Sequence, residues 1–230
     1  DAVTNVYKEI NNKFPNLHIV LASYFECYGQ NLQTVINLPV QTIHLDLVRC
    51  PLQLDDILDS DLVDNKTHLS LGVVDGRNIW KNNFQESLSL IDKAVKKMGA
   101  ERIWIAPSCS LLHSPCDLDL ETNEAILTPE IKQWLAFAKQ KIGEVVMLKE
   151  LSTGENAEAA NFGLQENIQA NESRKTSALI HNKDVKQRGA AITEKEAQRA
   201  HGFSERKIKQ HETLHLPMFP TTTIGSFPQT

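Results

Sequence analysis

Residues 40–48, VQTIHLDLV, decide the fold class of this chain. Leucine and β-branched residues dominate the stretch without a helical repeat, which predicts a strand. Three other stretches have the same character: residues 17–25 (LHIVLASYF), 68–74 (HLSLGVV) and 102–106 (RIWIA). Strands that are apolar along most of their length are typical of a parallel sheet with helices packed outside it.

Segments with helical spacing separate these strands. Residues 30–38 predict a weak helix ended by Pro39, and residues 52–62 predict a second helix. Residues 84–98 predict a third, with apolar side chains at 84, 88, 91, 95 and 98 and with Gly99 as its stop. The alternation predicts four strand–helix units, which is the pattern of an α/β fold.

The pattern changes after residue 128, where only helical signals remain. Thr128 predicts an N-cap with Pro129 in the first turn. One long amphipathic helix is predicted from the apolar residues Ile131, Trp134, Leu135, Ala138, Ile142, Val145 and Val146. A second helix is predicted over 155–171, and Thr193 with Glu196 predicts a capping box. No strand is predicted between 129 and 220.

Composition narrows the possible classes of protein. The chain has 230 residues, 41% hydrophobic and 23% charged, which suits a soluble globular protein. A net charge of −5 gives no basic field for nucleic acid, and no apolar run is long enough to span a membrane. No signal peptide is visible. The four cysteines form no CxxC pair, so we expect reduced thiols in a cytosolic protein.

Polar residues follow the carboxyl ends of the predicted strands, where α/β folds build their active sites. His44 and Asp46 lie on one face of the second strand, as an acid–base pair or as hydrogen-bonded core residues. Asp75 and Arg77 suggest either a clamp for a carboxylate or phosphate, or a turn with an internal ion pair. The other strand-end residues are Tyr24, Glu26, Arg49, Gly76, Ser108, Cys109 and Ser110.

Two motifs resemble metal sites by residue type. His211, Glu212 and His215 have the spacing of a zinc-protease helix, but Pro217 must end that helix and no Asp, Glu or Cys follows. We interpret this motif as a solvated helix end, where the dipole favours His. Cys109, His113 and Cys116 match no structural zinc spacing, and we interpret them as a packed loop.

Two further stretches have polar or basic character. The basic run of Arg174, Lys175, Lys183, Lys186 and Arg188 is offset by Glu172 and Asp184, which is typical of a solvated face rather than an anion site. The end of the chain, TTTIGSFPQT, begins as a strand and then turns at a Gly-Ser pair. Free backbone N–H groups at such a turn suit close approach to a small zwitterion.

Four segments resemble the cobalamin-independent methionine synthase family. They are IHLDLV (43–48), VDGRNIW (74–80), SCSLLHSPCDL (108–118) and LPMFPTTTIGSFPQT (216–230). The first three are similar to the second half of the family's first barrel, and the last is similar to the junction into its second barrel. The resemblance runs over essentially the whole chain.

The resemblance implies two face-to-face (βα)8 barrels in one long chain, a cytoplasmic enzyme. Such an enzyme transfers a methyl group from 5-methyltetrahydrofolate polyglutamate to homocysteine and so forms methionine. Zinc in the family's second barrel presents the homocysteine thiolate, and an acid assists the folate leaving group.

Only one element of that site carries over by residue. Ile224, Gly225 and Ser226 match the family's Ile-Gly-Ser, which contacts homocysteine. The zinc ligands would lie beyond Thr230, and the folate-binding basic residues would lie before Asp1. Cys109 resembles the counterpart of a zinc-binding Cys in the second barrel, which implies a relic rather than a metal site here.

We therefore expect an α/β fold, a partial TIM (βα)8 barrel of about four βα units with a C-terminal helical extension and linker. The expected parts are half of the first barrel (1–128), the helical extension (129–215), and the linker with the first strand of a missing catalytic barrel (216–230). Such a fragment would expose sheet edges for the missing barrel halves and would be inactive alone, without catalytic or zinc-binding residues.

Two other functions remain open at this point. The chain could be a non-catalytic scaffold half that positions the folate tail and docks the catalytic barrel. It could also be a barrel hydrolase or lyase that uses the Asp46 and Asp75 rim, which would require a closed barrel and a pocket there.

Overall fold

A computed structural model describes residues 2–60 and 66–221. Its sheet has four strands: β1 (Val20–Ala22), β2 (Thr42–Asp46), β3 (His68–Val74) and β4 (Ile103–Pro107). The strands pair in chain order, β1-β2-β3-β4, and every pairing is parallel. The predicted α/β class, with a parallel sheet built from the four predicted stretches, is confirmed.

Ten α-helices occur in the described residues. They are α1 (Ala2–Lys13), α2 (Leu32–Ile36), α3 (Gln53–Leu58), α4 (Phe84–Met98), α5 (Pro129–Lys132), α6 (Ala138–Thr153), α7 (Ala157–Thr176), α8 (Lys183–Ala190), α9 (Glu194–Ala197) and α10 (Phe203–Leu214). Helix α4 has the predicted bounds, because Asn83 caps it by accepting a hydrogen bond from the Gln85 N–H and Gly99 ends it at a φ of 87°.

The two faces of the sheet have different chemistry. One face presents Ile43, Leu45, Leu69 and Leu71, all buried in the main core. Helices α3, α4 and α6 contribute Leu54, Ile57, Ile91, Ala94 and Leu148 to the same core. The other face carries polar or half-exposed side chains, among them Thr42, His44, Ser70 and Trp104.

That sheet geometry is one part of a (βα)8-barrel-type fold. In such a barrel the helices cover the outside and alternate side chains point inward. Strands β1 and β4 are the edges of the described sheet, and the edge residues Val20 and Trp104 are 44% and 42% exposed. The ring of Trp104 stacks on His18, with 5.4 Å between the ring centroids.

The single long helix predicted from residue 131 is wrong. Helix α5 ends at Lys132, and α6 begins only at Ala138. Between them Leu135 pairs antiparallel with Trp80, and the N–H of Ala136 donates to the Ile79 carbonyl at 2.8 Å. Leu135 and Phe137 then bury their side chains against Leu118, so tertiary packing overrides the helical periodicity.

The buried face of α6 also differs from the predicted one. Ile142 and Val146 are 57% and 52% exposed, whereas Lys141, Glu144 and Leu148 are buried. The apolar spacing therefore identified a helix in this region but not the side of it that packs.

Helix α7 is tied to the start of α4 by a buried amide. The side-chain oxygen of Asn167 accepts the Phe84 N–H at 3.1 Å, and its nitrogen donates to the Asn82 carbonyl at 2.9 Å. Asn167 is 3% exposed, so both of its polar atoms need these partners. These two hydrogen bonds hold α7 against the N-terminal end of α4.

The chain divides into two compact units, residues 1–177 and 178–230. The first contains the sheet and α1 to α7, and the second contains α8, α9 and α10. The predicted capping box of α9 is confirmed, because the Thr193 N–H donates to Glu196 Oε2 at 2.8 Å. The domain boundaries predicted at 128 and 215 stay a prediction.

The expectation of four reduced cysteines is wrong for one pair. Cys27 and Cys50 form a disulfide across 23 residues of chain, while Cys109 and Cys116 are free. Parallel pairing puts the residues after β1 beside the residues after β2, and the two Cα atoms lie 5.4 Å apart, which suits a disulfide. The spacing of the cysteines along the sequence does not predict this disulfide, because the two residues meet only when β1 and β2 pair.

Candidate functional site

The loops after the four strands meet at the carboxyl edge of the sheet, as predicted. The N–H of Phe25, after β1, donates to Asp46 Oδ2 at 2.8 Å. The N–H of Gly76, after β3, donates to the Ser108 hydroxyl at 3.2 Å. We call this edge the rim, meaning residues 23–28, 46–50, 75–78 and 108–110.

Asp46 organises the rim rather than facing a ligand. Its side chain is almost fully buried, and Oδ1 accepts the N–H groups of Val48 and Arg49 at 3.2 and 3.0 Å, while Oδ2 accepts that of Phe25. A carboxylate that accepts three N–H groups is fully engaged in holding backbone. Asp46 therefore joins the loop after β1 to the loop after β2.

His44 shares a sheet face with Asp46 but has different partners. Its Nδ1 lies 2.9 Å from the Ser70 hydroxyl, and its Nε2 lies 3.1 Å from the Ser108 carbonyl oxygen. The imidazole is therefore hydrogen-bonded across three strands. Of the two interpretations, the structure favours hydrogen-bonded core residues over an acid–base pair.

Asp75 forms the turn that its sequence suggested. Its two oxygens accept the Arg77 N–H and the Asn78 side-chain amide, each at 2.8 Å. The ion pair comes from Arg49, whose Nη1 lies 3.7 Å from Asp75 Oδ2. The guanidinium of Arg77 instead covers the Phe25 ring, 5.0 Å from its centroid.

Two charged residues behind the rim escaped the sequence analysis. Lys141 is fully buried and donates to Asn78 Oδ1 at 3.3 Å and to the Trp80 carbonyl at 3.0 Å. Burial lowers the pKa of its ammonium group. A Lys on a predicted amphipathic helix is normally assigned to solvent, so no sequence signal marked it.

Glu144 lies one turn further along α6 and is 7% exposed. Its Oε1 accepts the Asn82 N–H at 2.8 Å, while Oε2 is buried without a hydrogen-bond partner. Burial raises the pKa of this carboxyl to about 7, against the smaller opposing effects of the Asn82 N–H and the Lys141 charge.

The two metal-like motifs do not assemble ligands. Cys109 is buried, Cys116 is exposed, and among the described residues no group of three or more His, Cys, Asp or Glu side chains could hold a metal ion. Helix α10 ends at Leu214 and His215 is its left-handed cap, as expected for the end of a helix before Pro217.

Three residues of the basic run have partners in the structure. Arg174 stacks over the Trp80 ring at 3.8 Å, Lys175 pairs with Glu172 at 3.3 Å, and Arg188 pairs with Glu196 at 2.7 Å.

The homocysteine residues inferred by resemblance, Ile224, Gly225 and Ser226, lie outside the described residues. No helix in the described part of the chain is both long and apolar enough to cross a membrane.

The fold and the rim together define a class: an α/β protein of the (βα)8-barrel type, whose loops converge at the carboxyl edge of a parallel sheet. Residues 1–99 match the family described as "Cobalamin-independent synthase, N-terminal domain". Over these residues the chain is similar to the cobalamin-independent synthase family.

Curated relatives extend the match along the chain. A protein of Flavobacterium johnsoniae named 5-methyltetrahydropteroyltriglutamate–homocysteine methyltransferase is 62% identical over 227 residues, 99% of this chain and 29% of the relative. Proteins of the same name are 51% identical in Cytophaga hutchinsonii, over 97% of this chain and 29% of the relative. In Rhodopseudomonas palustris the identity is 45%, over 100% of this chain and 28% of the relative. The chain thus spans less than a third of the length of these relatives.

Proposed function

We propose that this chain is part of a methyltransferase that moves a methyl group from 5-methyltetrahydropteroyltriglutamate to homocysteine, forming methionine without cobalamin. The observation that carries the proposal is the 62% identity to a methyltransferase of that name along 99% of this chain. The partners would be homocysteine and the folate polyglutamate, in the cytoplasm.

Within that reaction, the described residues act as scaffold. Asp46 and Asp75 use their oxygens on rim backbone, on Asn78 and on Arg49, so neither is available as a general base. The described residues do not fit a zinc site, and we assign no step of the transfer to them. The zinc ligands would belong to the remaining length of the longer protein.

The alternative function is a non-catalytic half that positions the folate tail and docks the catalytic barrel. It is favoured by the exposed guanidinium of Arg77 at the rim, since polyglutamate is anionic. A hydrolase or lyase using Asp46 and Asp75 is disfavoured. A cleft of about 530 Å³ reaches Asp75, but Asp46 is sealed beneath the loop after β1 and does not line it.

A hybrid enzyme tests the proposed function. This chain replaces the aligned segment in the Flavobacterium johnsoniae relative, and methionine formation from homocysteine is measured. The hybrid should form methionine, whereas residues 1–230 alone should form none and should bind no stoichiometric zinc. Turnover by the chain alone, or an inactive hybrid that is folded and loaded with zinc, would contradict the proposal.

The homocysteine contact is tested in the same hybrid. Ser226→Ala should raise the KM for homocysteine several-fold, by roughly the effect of one lost hydrogen bond, while leaving the KM for the folate unchanged. Ser177→Ala, in the segment before α8, is the matched control and should change neither constant. An unchanged homocysteine KM in Ser226→Ala would remove this residue from the site.

A further inference from the structure

The rim loop after β1, residues 23–28, has few connections to the rest of the sheet. Within the part of the chain that the structure describes, three hydrogen bonds join it to β2 and α3: Phe25 N–H to Asp46, Tyr28 N–H to Gln53 Oε1 at 2.6 Å, and Tyr28 hydroxyl to the His44 carbonyl at 3.0 Å. Its aromatic rings Tyr24 and Phe25 are 42% and 44% exposed. Segments with exposed backbone and little burial are the first to open.

The Cys27–Cys50 disulfide cross-links this loop to the segment after β2. Cys50 is 8% exposed and is anchored by its N–H to the Asp46 carbonyl at 3.1 Å. Cys27 lies on the exposed side of the bond. An attacking thiolate can therefore reach the Cys27 sulfur while Cys50 stays anchored on the sheet.

We propose that the Cys27–Cys50 disulfide is a reversible thiol switch that exchanges with low-molecular-weight thiols of the glutathione class and controls whether residues 23–28 stay against the sheet. A thiolate attacks the Cys27 sulfur, forms a mixed disulfide there, and expels Cys50 as a thiolate, which takes up a proton. A second thiol attacks the mixed disulfide, releases Cys27, and leaves as the small-molecule disulfide. Two thiols are oxidised for each protein disulfide reduced.

The switch acts on the side chains that the loop carries. Phe25 has a φ of 78°, an unfavourable backbone region for a non-glycine residue, so its position depends on the surrounding ties. The Arg77 guanidinium rests on the Phe25 ring. Opening the disulfide leaves only hydrogen bonds to keep this aromatic–cation contact in place.

The test equilibrates the full chain in mixtures of reduced and oxidised glutathione. Alkylation and mass measurement under denaturing conditions should show two of the four cysteines reactive in oxidising buffer and all four in reducing buffer, with a reversible two-electron transition. Hydrogen exchange of the native chain should be about tenfold faster at residues 24–28 in the reduced form, with β3 unchanged.

Variants separate a switch from a passive bond. Cys27→Ser should show the fast exchange in every buffer, and Cys50→Ala should reproduce it. Cys116→Ser, which changes an exposed free cysteine, should behave like the parent chain. A bond that stays closed in millimolar reduced glutathione, a pair that never oxidises, or exchange at 24–28 that is equal in both forms would each overturn the proposal.

Discussion

Gly72→Ala is expected to destabilise the chain by about 3 kcal/mol, the upper end of the usual cost of overpacking a core. Gly72 lies in the middle of β3, between β2 and β4. A Cβ there would stand 2.7 Å from both the Leu45 carbonyl oxygen and the Ser108 Cα, and 2.9 Å from His44 Cε1. Two of these atoms are backbone, so relief requires the strands to separate.

The matched control is Gly143→Ala in α6. No heavy atom lies within 4 Å of a Cβ built there, and alanine is the better helix former. Gly143→Ala should raise the free energy of unfolding by roughly 0.5–1 kcal/mol. Urea unfolding measures the free energy of unfolding of both variants and of the parent chain. If Gly72→Ala has the midpoint of the parent chain, the close approach of strands at this residue does not limit side-chain size.

Glu144→Gln is expected to remove a pH-dependent loss of stability of about 3 kcal/mol. The Glu144 carboxyl has a pKa of about 7 in the folded chain, against 4.5 when unperturbed. Between those pH values the folded state retains a proton that the unfolded state has released. The free energy of unfolding therefore falls by about 1.36 kcal/mol per pH unit as pH rises from 4.5 to about 7, and this contribution is constant above that.

Unfolding curves from pH 4.5 to 8 measure this effect. Glutamine has nearly the shape of the protonated acid, so Glu144→Gln should match the parent chain at pH 4.5 and exceed it above pH 7. Glu158→Gln, an exposed residue on α7, should follow the parent profile. Parallel profiles for Glu144→Gln and the parent chain would show that this carboxyl is not protonated by burial.

Much of the sheet could be predicted from residue patterns. β2 and β3 lie in stretches rich in leucine and β-branched residues without a helical repeat, and α4 has an apolar repeat between an Asn cap and a Gly stop. These signals are local, because a strand or a helix is specified by residues adjacent in the chain. The convergence of polar residues at the rim followed as well, since parallel strands place their carboxyl ends together.

The missed features that shape the site depend on distant partners. The break between α5 and α6 arises because Leu135 pairs with Trp80, 55 positions earlier. The buried side of α6 carries Lys141, because Asn78 and the Trp80 carbonyl are there to accept its hydrogens. No periodicity within α6 could reveal those acceptors.

The sequence by itself determined the strand–helix alternation, the parallel sheet and the family resemblance, because these depend on local apolar patterns and on motifs that run along the chain. Only the tertiary structure decided what the rim residues do. In the structure, Asp46 accepts hydrogen bonds from the backbone, His44 is a hydrogen-bonded core residue, and Cys27 forms a disulfide. Each of these roles requires a partner more than twenty residues away. Folding the strands side by side supplies those partners.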